Sequence, residues 1–234
     1  MRYRSLVRNE EGAEPVTLAE AKLHLRIDNT DDDDLISALI TTARRWAEDY
    51  CDRTFVVSQY TMALDSFYGA IGSPVQFGLK ADGNNIEGRQ GTVPQLDIEL
   101  PRPPLSPVDA DGQSNPVLIT YIPTAGGTRT TLASSEYRVD YDATPGVARP
   151  LYGKTWPSHL VDQNSVKVTY YAGPSVYWTT DYGGTQNMAA VAAAIKMVVG
   201  HLWSNRDAST ETALSEVPFG VKAMLDTLRW GSYR

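Results

Sequence analysis

Apolar positions recur every three or four residues near both ends of the chain, and every second residue through its middle. Leu35, Ile36, Leu39, Ile40, Ala43, Trp46, Ala47 and Tyr50 form one continuous stripe at helical spacing. Ser37, Thr41, Arg44, Arg45, Glu48 and Asp49 occupy the opposite, polar face. Just upstream, Thr17 and Glu20 stand at capping-box spacing, behind a Pro15 that blocks an earlier start. Leu18, Ala21, Lys22 and Leu25 then predict a short helix ending near Arg26 or Ile27. A third helix is predicted from Asn187, with Met188, Val191, Ile195, Val198, Val199 and Leu202 on one face. Ala189, Ala190, Ala192, Ala193 and Ala194 fill much of the remainder, which lets another helix approach closely, in this chain or in a neighbouring subunit. A last helix is predicted from Pro218, a favoured first helical residue, through Val221, Met224, Leu225 and Leu228.

The period changes at Thr54. Val56, Ser58, Tyr60, Met62 and Leu64 alternate with Phe55, Val57, Gln59 and Thr61, as a strand requires. Further strands are predicted at Leu96–Leu100, Val117–Ile122, Arg129–Leu132, Tyr137–Asp140 and Val166–Tyr171. Turn signals separate them: Pro101 to Pro104, Asp111-Gly112, Gly126-Gly127, Pro145-Gly146 and Gly173-Pro174. Tyr68 to Pro94 is glycine-rich and aperiodic and reads as a long exposed loop, and Tyr177 to Gln186 as a second. The predicted class is α+β. Residues 1–53 and 187–234 form a helical bundle, and residues 54–186 a β-rich insertion.

Composition narrows the function. The chain of 234 residues carries 28 acidic and 21 basic side chains, net −7, which argues against a protein whose task is to grip DNA phosphates or an anionic membrane. One cysteine, Cys51, excludes an internal disulfide framework. The first twelve residues contain no apolar signal region, so no secretion is expected. The longest apolar run, Met188 to Ile195, falls far short of the ~20 residues a membrane span needs.

Asp31, Asp32, Asp33 and Asp34 are the most conspicuous charge cluster and suggest a calcium or magnesium site. An EF-hand loop fails from either start, because the sixth and twelfth positions are Asp33 and Leu39 from Asp28, or Ile36 and Thr42 from Asp31. The better account is the start of the second helix, where the macrodipole favours negative charge. His24, His159 and His201 share no metal-ligand spacing. His201 reads as a packing or interface residue. No G-x-S-x-G elbow, P-loop or G-x-G-x-x-G occurs. Cys51 lies at a helix C-terminus, which does not activate a thiol, and reads as buried and inert. Arg2, Arg4, Arg8 and the Arg44-Arg45 pair are too sparse for a phosphate-tracking groove. Arg44 and Arg45 read instead as ion-pair or subunit-contact residues. Tyr170, Tyr171, Tyr177, Trp178 and Tyr182 lack the accompanying cations of a base-stacking platform and read as core or protein contacts. No catalytic residue, metal or cofactor is predicted.

Several segments taken in order resemble the head–tail connector (adaptor) proteins of long-tailed bacteriophages. They begin with Pro15-Val16-Thr17-Leu18-Ala19-Glu20-Ala21-Lys22 and His24-Leu25-Arg26, followed by an acidic patch and a helix from Leu35-Ile36 to Asp52-Arg53. In the middle stand Leu100-Pro101-Arg102-Pro103-Pro104-Leu105, Tyr137-Arg138-Val139-Asp140, Trp156-Pro157 and Val168-Thr169-Tyr170-Tyr171-Ala172-Gly173. Ala192-Ala193-Ala194-Ile195 leads to Gly200-His201 and Asn205-Arg206, and Val217-Pro218-Phe219-Gly220-Val221-Lys222-Ala223 closes the series with Leu228. Gly69 to Gln95 and the loop after Gly173-Pro174 depart from the pattern.

The resemblance implies a non-enzymatic virion protein at the head–tail interface, made in a bacterial host's cytoplasm. Its subunits form a homo-oligomeric ring, commonly of twelve, beneath the portal protein. The ring extends the channel through which double-stranded DNA passes without specific binding, and docks the next connector or tail component. It also implies portal docking by the C-terminal Trp230, Gly231, Ser232, Tyr233 and Arg234, whose residue types suit an interface. Arg44, Arg45, Glu48 and Asp49 are the candidates for subunit–subunit contacts. A stopper or tail-completion role in the same virion is the nearest alternative. A metal-dependent hydrolase using Asp31 to Asp34 is the alternative from another class.

Overall fold

Thr17 starts the first helix as its spacing predicts. In the computed structural model, which describes residues 3–67, 97–109, 111–114, 116–174, 184–205 and 219–229, the Thr17 hydroxyl accepts from the Glu20 backbone N–H. The Glu20 carboxylate accepts from the Thr17 backbone N–H at 2.8 Å. Helix α1 (Leu18–Leu25) ends at Arg26, which takes a left-handed φ of 58°. Helix α2 (Asp33–Cys51) ends likewise at Asp52, with φ 50°. Helices α3 (Gly184–Ser204) and α4 (Phe219–Asp226) complete the bundle. α3 begins three residues before the expected Asn187, so 184–186 belong to the helix and not to the preceding loop.

Ile36, Ile40, Ala43, Ala47 and Cys51 of α2 pack with Val191, Ala194, Ile195, Val198 and Val199 of α3 and with Val221, Leu225 and Leu228 from the last helix and its end. Ala43 and Ala194 are fully buried, and their small side chains let the helices approach closely. Of the α3 alanines, Ala194 is buried in this contact and Ala192 packs against it, whereas Ala189 is exposed and Ala190 and Ala193 are half-buried. The buried face of α2 is nevertheless rotated from the expected stripe. Leu35 is 40% exposed, whereas Arg44 and Glu48, read as polar-face residues, are 0% and 1% exposed. The cause is a neighbour that the sequence reading lacked.

That neighbour is strand β1 (Ser5–Glu11), which pairs antiparallel with β2 (Ser58–Leu64). It lies inside the range expected to be helical. Its strand period is hard to read because both faces carry polar groups. Residues 1–53 therefore contribute to the sheet as well as to the bundle. The main sheet runs β1-β2-β9-β5-β6, all neighbours antiparallel, with β4 (Leu105–Ser106) also pairing β9 (Val166–Ala172). β5 (Leu118–Tyr121) and β6 (Thr130–Thr131) form its far side. A second sheet is ordered β3-β8-β7, from Ile98–Leu100, Gly146–Pro150 and Tyr137–Asp140.

Tyr60, Met62 and Leu64 of β2 and Val166, Val168, Tyr170 and Ala172 of β9 point into a core shared with Ile98, Leu100, Tyr137 and Ala148 of the smaller sheet. On the opposite face Thr61 meets Thr169 and Gln59 meets Tyr171. β4 and β8 were not expected, since proline and glycine signals mask both. Gly146 opens β8 in place of ending a turn; a Cβ there would lie 2.6 Å from Leu105. Gly173 is equally constrained, with φ 125° and Val56 O 2.4 Å from a notional Cβ. The architecture is thus mixed α+β, with N- and C-terminal helices packed together and sheets in the middle. The predicted loop at 68–94, most of the one at 177–186, and Pro218 lie outside the described residues.

Candidate functional site

Where α2 crosses the end of the β1–β2 pair, five charged side chains form a lattice around the buried Arg44 and Glu48. Arg44 Nε donates to Glu14 Oε2 at 2.7 Å, Nη1 to Glu48 Oε2 at 2.8 Å, and Nη2 to Glu11 Oε2 at 2.7 Å and Glu14 Oε1 at 3.1 Å. Glu48 Oε2 also accepts from Arg8 Nη2 at 2.8 Å, and its Oε1 from the Phe55 backbone N–H at 2.7 Å. Arg8 reaches Glu11 Oε1 at 2.9 Å, and its Nε donates to the Tyr60 hydroxyl at 2.8 Å. The Tyr60 hydroxyl is in turn 3.0 Å from Thr54 Oγ1. A buried charge is tolerated only when paired and hydrogen-bonded, and this lattice supplies both.

The electrostatics run one way. Burial works against the charge on Arg8 and Arg44, but the surrounding carboxylates outweigh it and raise both guanidinium pKa values. Burial raises that of Glu11, while hydrogen bonds from Arg8 and the charge of Arg44 bring it down to about 2. The groups are driven away from neutrality, as in a structural ion lattice and unlike an acid–base pair poised near pH 7.

Beside the lattice opens a cleft of about 440 Å³, lined by Leu6, Arg8, Asn9, Glu11, Arg45, Glu48, Asp49, Tyr60 and Arg102. Arg102, at a left-handed φ of 64°, donates to Asp49 Oδ1 at 2.8 Å and to the Glu48 carbonyl at 3.2 Å. The four residues expected at subunit contacts are therefore divided. Arg44 and Glu48 lie inside this chain. Arg45 and Asp49 stand on the rim, with side chains 59% and 72% exposed.

The other expected residues are placed as follows. Asp32 is the N-cap of α2 without a side-chain cap bond, Asp33 and Asp34 sit in the first turn, and Lys22 pairs with Asp33 at 2.6 Å. Among the described residues, no group of three or more His, Cys, Asp and Glu is placed to hold a metal. His159 Nε2 accepts from the Phe67 N–H at 3.3 Å, edge-on to that ring, whereas His24 is exposed and His201 half-buried on α3. Cys51 is buried, burial pushes its thiol up to about 11, and it donates to the Leu225 carbonyl at 3.5 Å. Arg4 forms a two-bond pair with Asp65. Tyr170 and Tyr171 are buried. Trp230 to Arg234, Arg2, Tyr177, Trp178 and Tyr182 lie outside the described residues.

Glu11 and Glu14 were not foreseen as partners of Arg44, nor Arg8 as a partner of Glu48. One signal was available: Arg44 follows Ile40 by four residues, precedes Cys51 by seven, and leads to Glu48 at i+4, all on one side of the helix.

Residues 15–81 match the sequence model of the phage gp6-like head–tail connector proteins. In the described part, the matched region comprises α1, α2, β2 and the groups that Arg44 and Glu48 present to the lattice. No curated protein shows significant sequence similarity to the chain. The fold is similar to that of a chain in the neck of an empty GTA particle computed with C6 symmetry, at TM-score 0.61 and 16% identity. That likeness covers 96% of this chain and 95% of the other. A chain in the virion of a native gene transfer agent (GTA) particle matches at TM-score 0.61 and 16% identity, over 96% and 94%. A chain in the neck of a native GTA particle computed with C12 symmetry matches at 0.56 and 17%, over 95% and 94%. At these identities the likeness is one of fold, and it extends through the sheets and C-terminal helices beyond the connector-family segment.

Proposed function

We propose that this protein is a head–tail connector subunit, a structural and non-enzymatic component of the neck of a phage-like particle. The observation that carries the reading is that a connector-family segment lies inside a fold matched from end to end by neck chains. In this reading copies of the chain form a ring beneath the portal, each patch meeting a different patch on its neighbour, a geometry that closes when the rotation per subunit fits. The ring extends the DNA channel and docks the next connector or tail component. The ion lattice holds α2, β1 and β2 in one fixed relation, which a load-transmitting wedge needs. Arg45 and Asp49, on the exposed rim, face the neighbouring subunit, and Trp230 to Arg234 engage the portal. The net charge of −7 repels DNA from the channel wall, so that the duplex passes without sticking.

Electron microscopy of the purified protein mixed with portal tests this directly. Stacked rings are the expected result, and discrete portal rings with nothing beneath them would refute it. Deleting residues 230–234 abolishes portal binding if that segment docks there. Tight binding of duplex DNA by the ring at moderate salt would contradict the low-friction wall.

A further inference from the structure

Arg53 differs from every other buried or half-buried arginine among the described residues. Arg8, Arg44, Arg102 and Arg149 each face at least one carboxylate within the chain. Arg53, one residue beyond the left-handed cap of α2, faces none among the described residues. It is half-buried, and its Nε is buried without a hydrogen-bond partner. The acids closest to it in sequence are engaged elsewhere, and so is Asp226, which like Arg53 acts on the Cys51 thiol. Asp49 and Asp52 lie on Arg102, at 2.8 and 3.8 Å, and Asp226 accepts from the Tyr50 hydroxyl at 2.7 Å. Burial pulls the Arg53 guanidinium pKa down, with only the Cys51 thiol acting in the other direction. The C-terminal end of α2 supplies partial negative charge, but no ionised acceptor. A half-desolvated guanidinium without a counter-ion is costly in the isolated subunit.

We infer that Arg53 is the receiving half of an intersubunit ion pair, taking an aspartate or glutamate carboxylate from a second copy of this chain. Guanidinium geometry suits a carboxylate, which it binds through two parallel N–H donors. Charge selects the occupant. A second copy offers 28 acidic side chains against 21 basic ones, and copies of net charge −7 repel unless cations stand ready at their contacts. DNA phosphate is disfavoured by the same net charge. The inference rests on the ring-forming reading above and adds to it one residue and its chemistry.

The test compares wild type with Arg53→Glu, Arg53→Gln and Arg53→Lys, measuring ring formation on portal by sedimentation and microscopy, with thermal melting of each free subunit. Arg53→Glu should weaken self-association at least about tenfold, as loss of one partner of a desolvated ionic contact does. Arg53→Lys should retain most of it. The melting temperature of Arg53→Gln should not fall below wild type, because no internal ion pair is lost; Arg53→Glu, which sets a carboxylate at the negative end of α2, is read for assembly only. An Asp→Arg or Glu→Arg change on the exposed surface should then restore ring formation to Arg53→Glu and identify the donor. Normal rings from Arg53→Glu would overturn the inference, as would lost assembly in Arg53→Gln accompanied by a lowered melting temperature, or DNA retention changing while self-association does not. Failure of the wild type itself to form rings would refute the connector reading, and the inference falls with it.

Discussion

Helix α2 is held along two seams of opposite character. One is apolar: Ile36, Ile40, Ala43 and Ala47 against α3 and α4. The other is ionic: Arg44 and Glu48 against Arg8, Glu11 and Glu14 from the N-terminal segment. The apolar seam gains stability from area and packing, and fits many residues of similar volume. The ionic seam contributes little net energy relative to an apolar replacement, but its directed bonds permit one arrangement only. The first seam makes the bundle stable. The second fixes how the bundle sits on the sheet.

The comparison can be broken most sharply at Arg44. Arg44→Ala leaves Glu48 buried and three carboxylates without their shared cation, and should cost about 3–5 kcal/mol in denaturant unfolding. Replacing Arg44 and Glu48 together by methionine should cost clearly less than the sum of the single losses, a coupling that an apolar seam would not show. Ala43→Leu probes the other seam, since the added side chain must enter a fully buried helix contact; the expected loss is about 1–3 kcal/mol.

Acid separates the seams without mutation. The Glu11 carboxyl lies below its unfolded value, at about 2. Its contribution is therefore complete above the unfolded pKa of 4.5, and is lost as pH falls towards 2. In Glu11→Gln the loss of stability between pH 5 and pH 2 should be shallower than in wild type, measured by thermal melting across that range. The smallest effect belongs to the rim. Arg45→Ala removes a mostly exposed partner of Glu11 and should change subunit stability by less than about 1 kcal/mol. If Arg45 meets a neighbouring subunit, ring assembly should weaken more than the melting temperature falls.

The helices were legible because their apolar spacing, the Thr17–Glu20 box and the close-packing alanines are local signals. So were β2 and β9, whose alternation is long enough to count. β1 was not, because Arg8, Asn9, Glu10 and Glu11 carry no hydrophobic period, and the strand exists through its pairing with residues some fifty positions later. β8 hid behind Pro145-Gly146, a turn signal in sequence and a strand start in space. The same long-range fact concealed the ion lattice. Arg44 and Glu48 read as polar-face residues open to ion pairs or a neighbouring subunit, because a helix considered alone does not show that acids from residues 11 and 14 will cover it. Arg53 illustrates the converse: among the described residues it has no carboxylate partner, which shows only once Asp49 and Asp52 are seen to lie on Arg102.

The place of β2 in the main sheet has a consequence for synthesis. One edge of β2 is covered by β1, which leaves the ribosome before it, but the other is covered by β9, which begins only at Val166. The bundle waits longer still, because α2 packs against helices that begin at Gly184 and Phe219. Neither core can close on a nascent fragment, so a chain truncated in its middle exposes an open strand edge and an uncovered helix face together. Such fragments are candidates for chaperone capture or aggregation, and not for premature assembly. A chain organised in this way commits to its native shape late and as one unit.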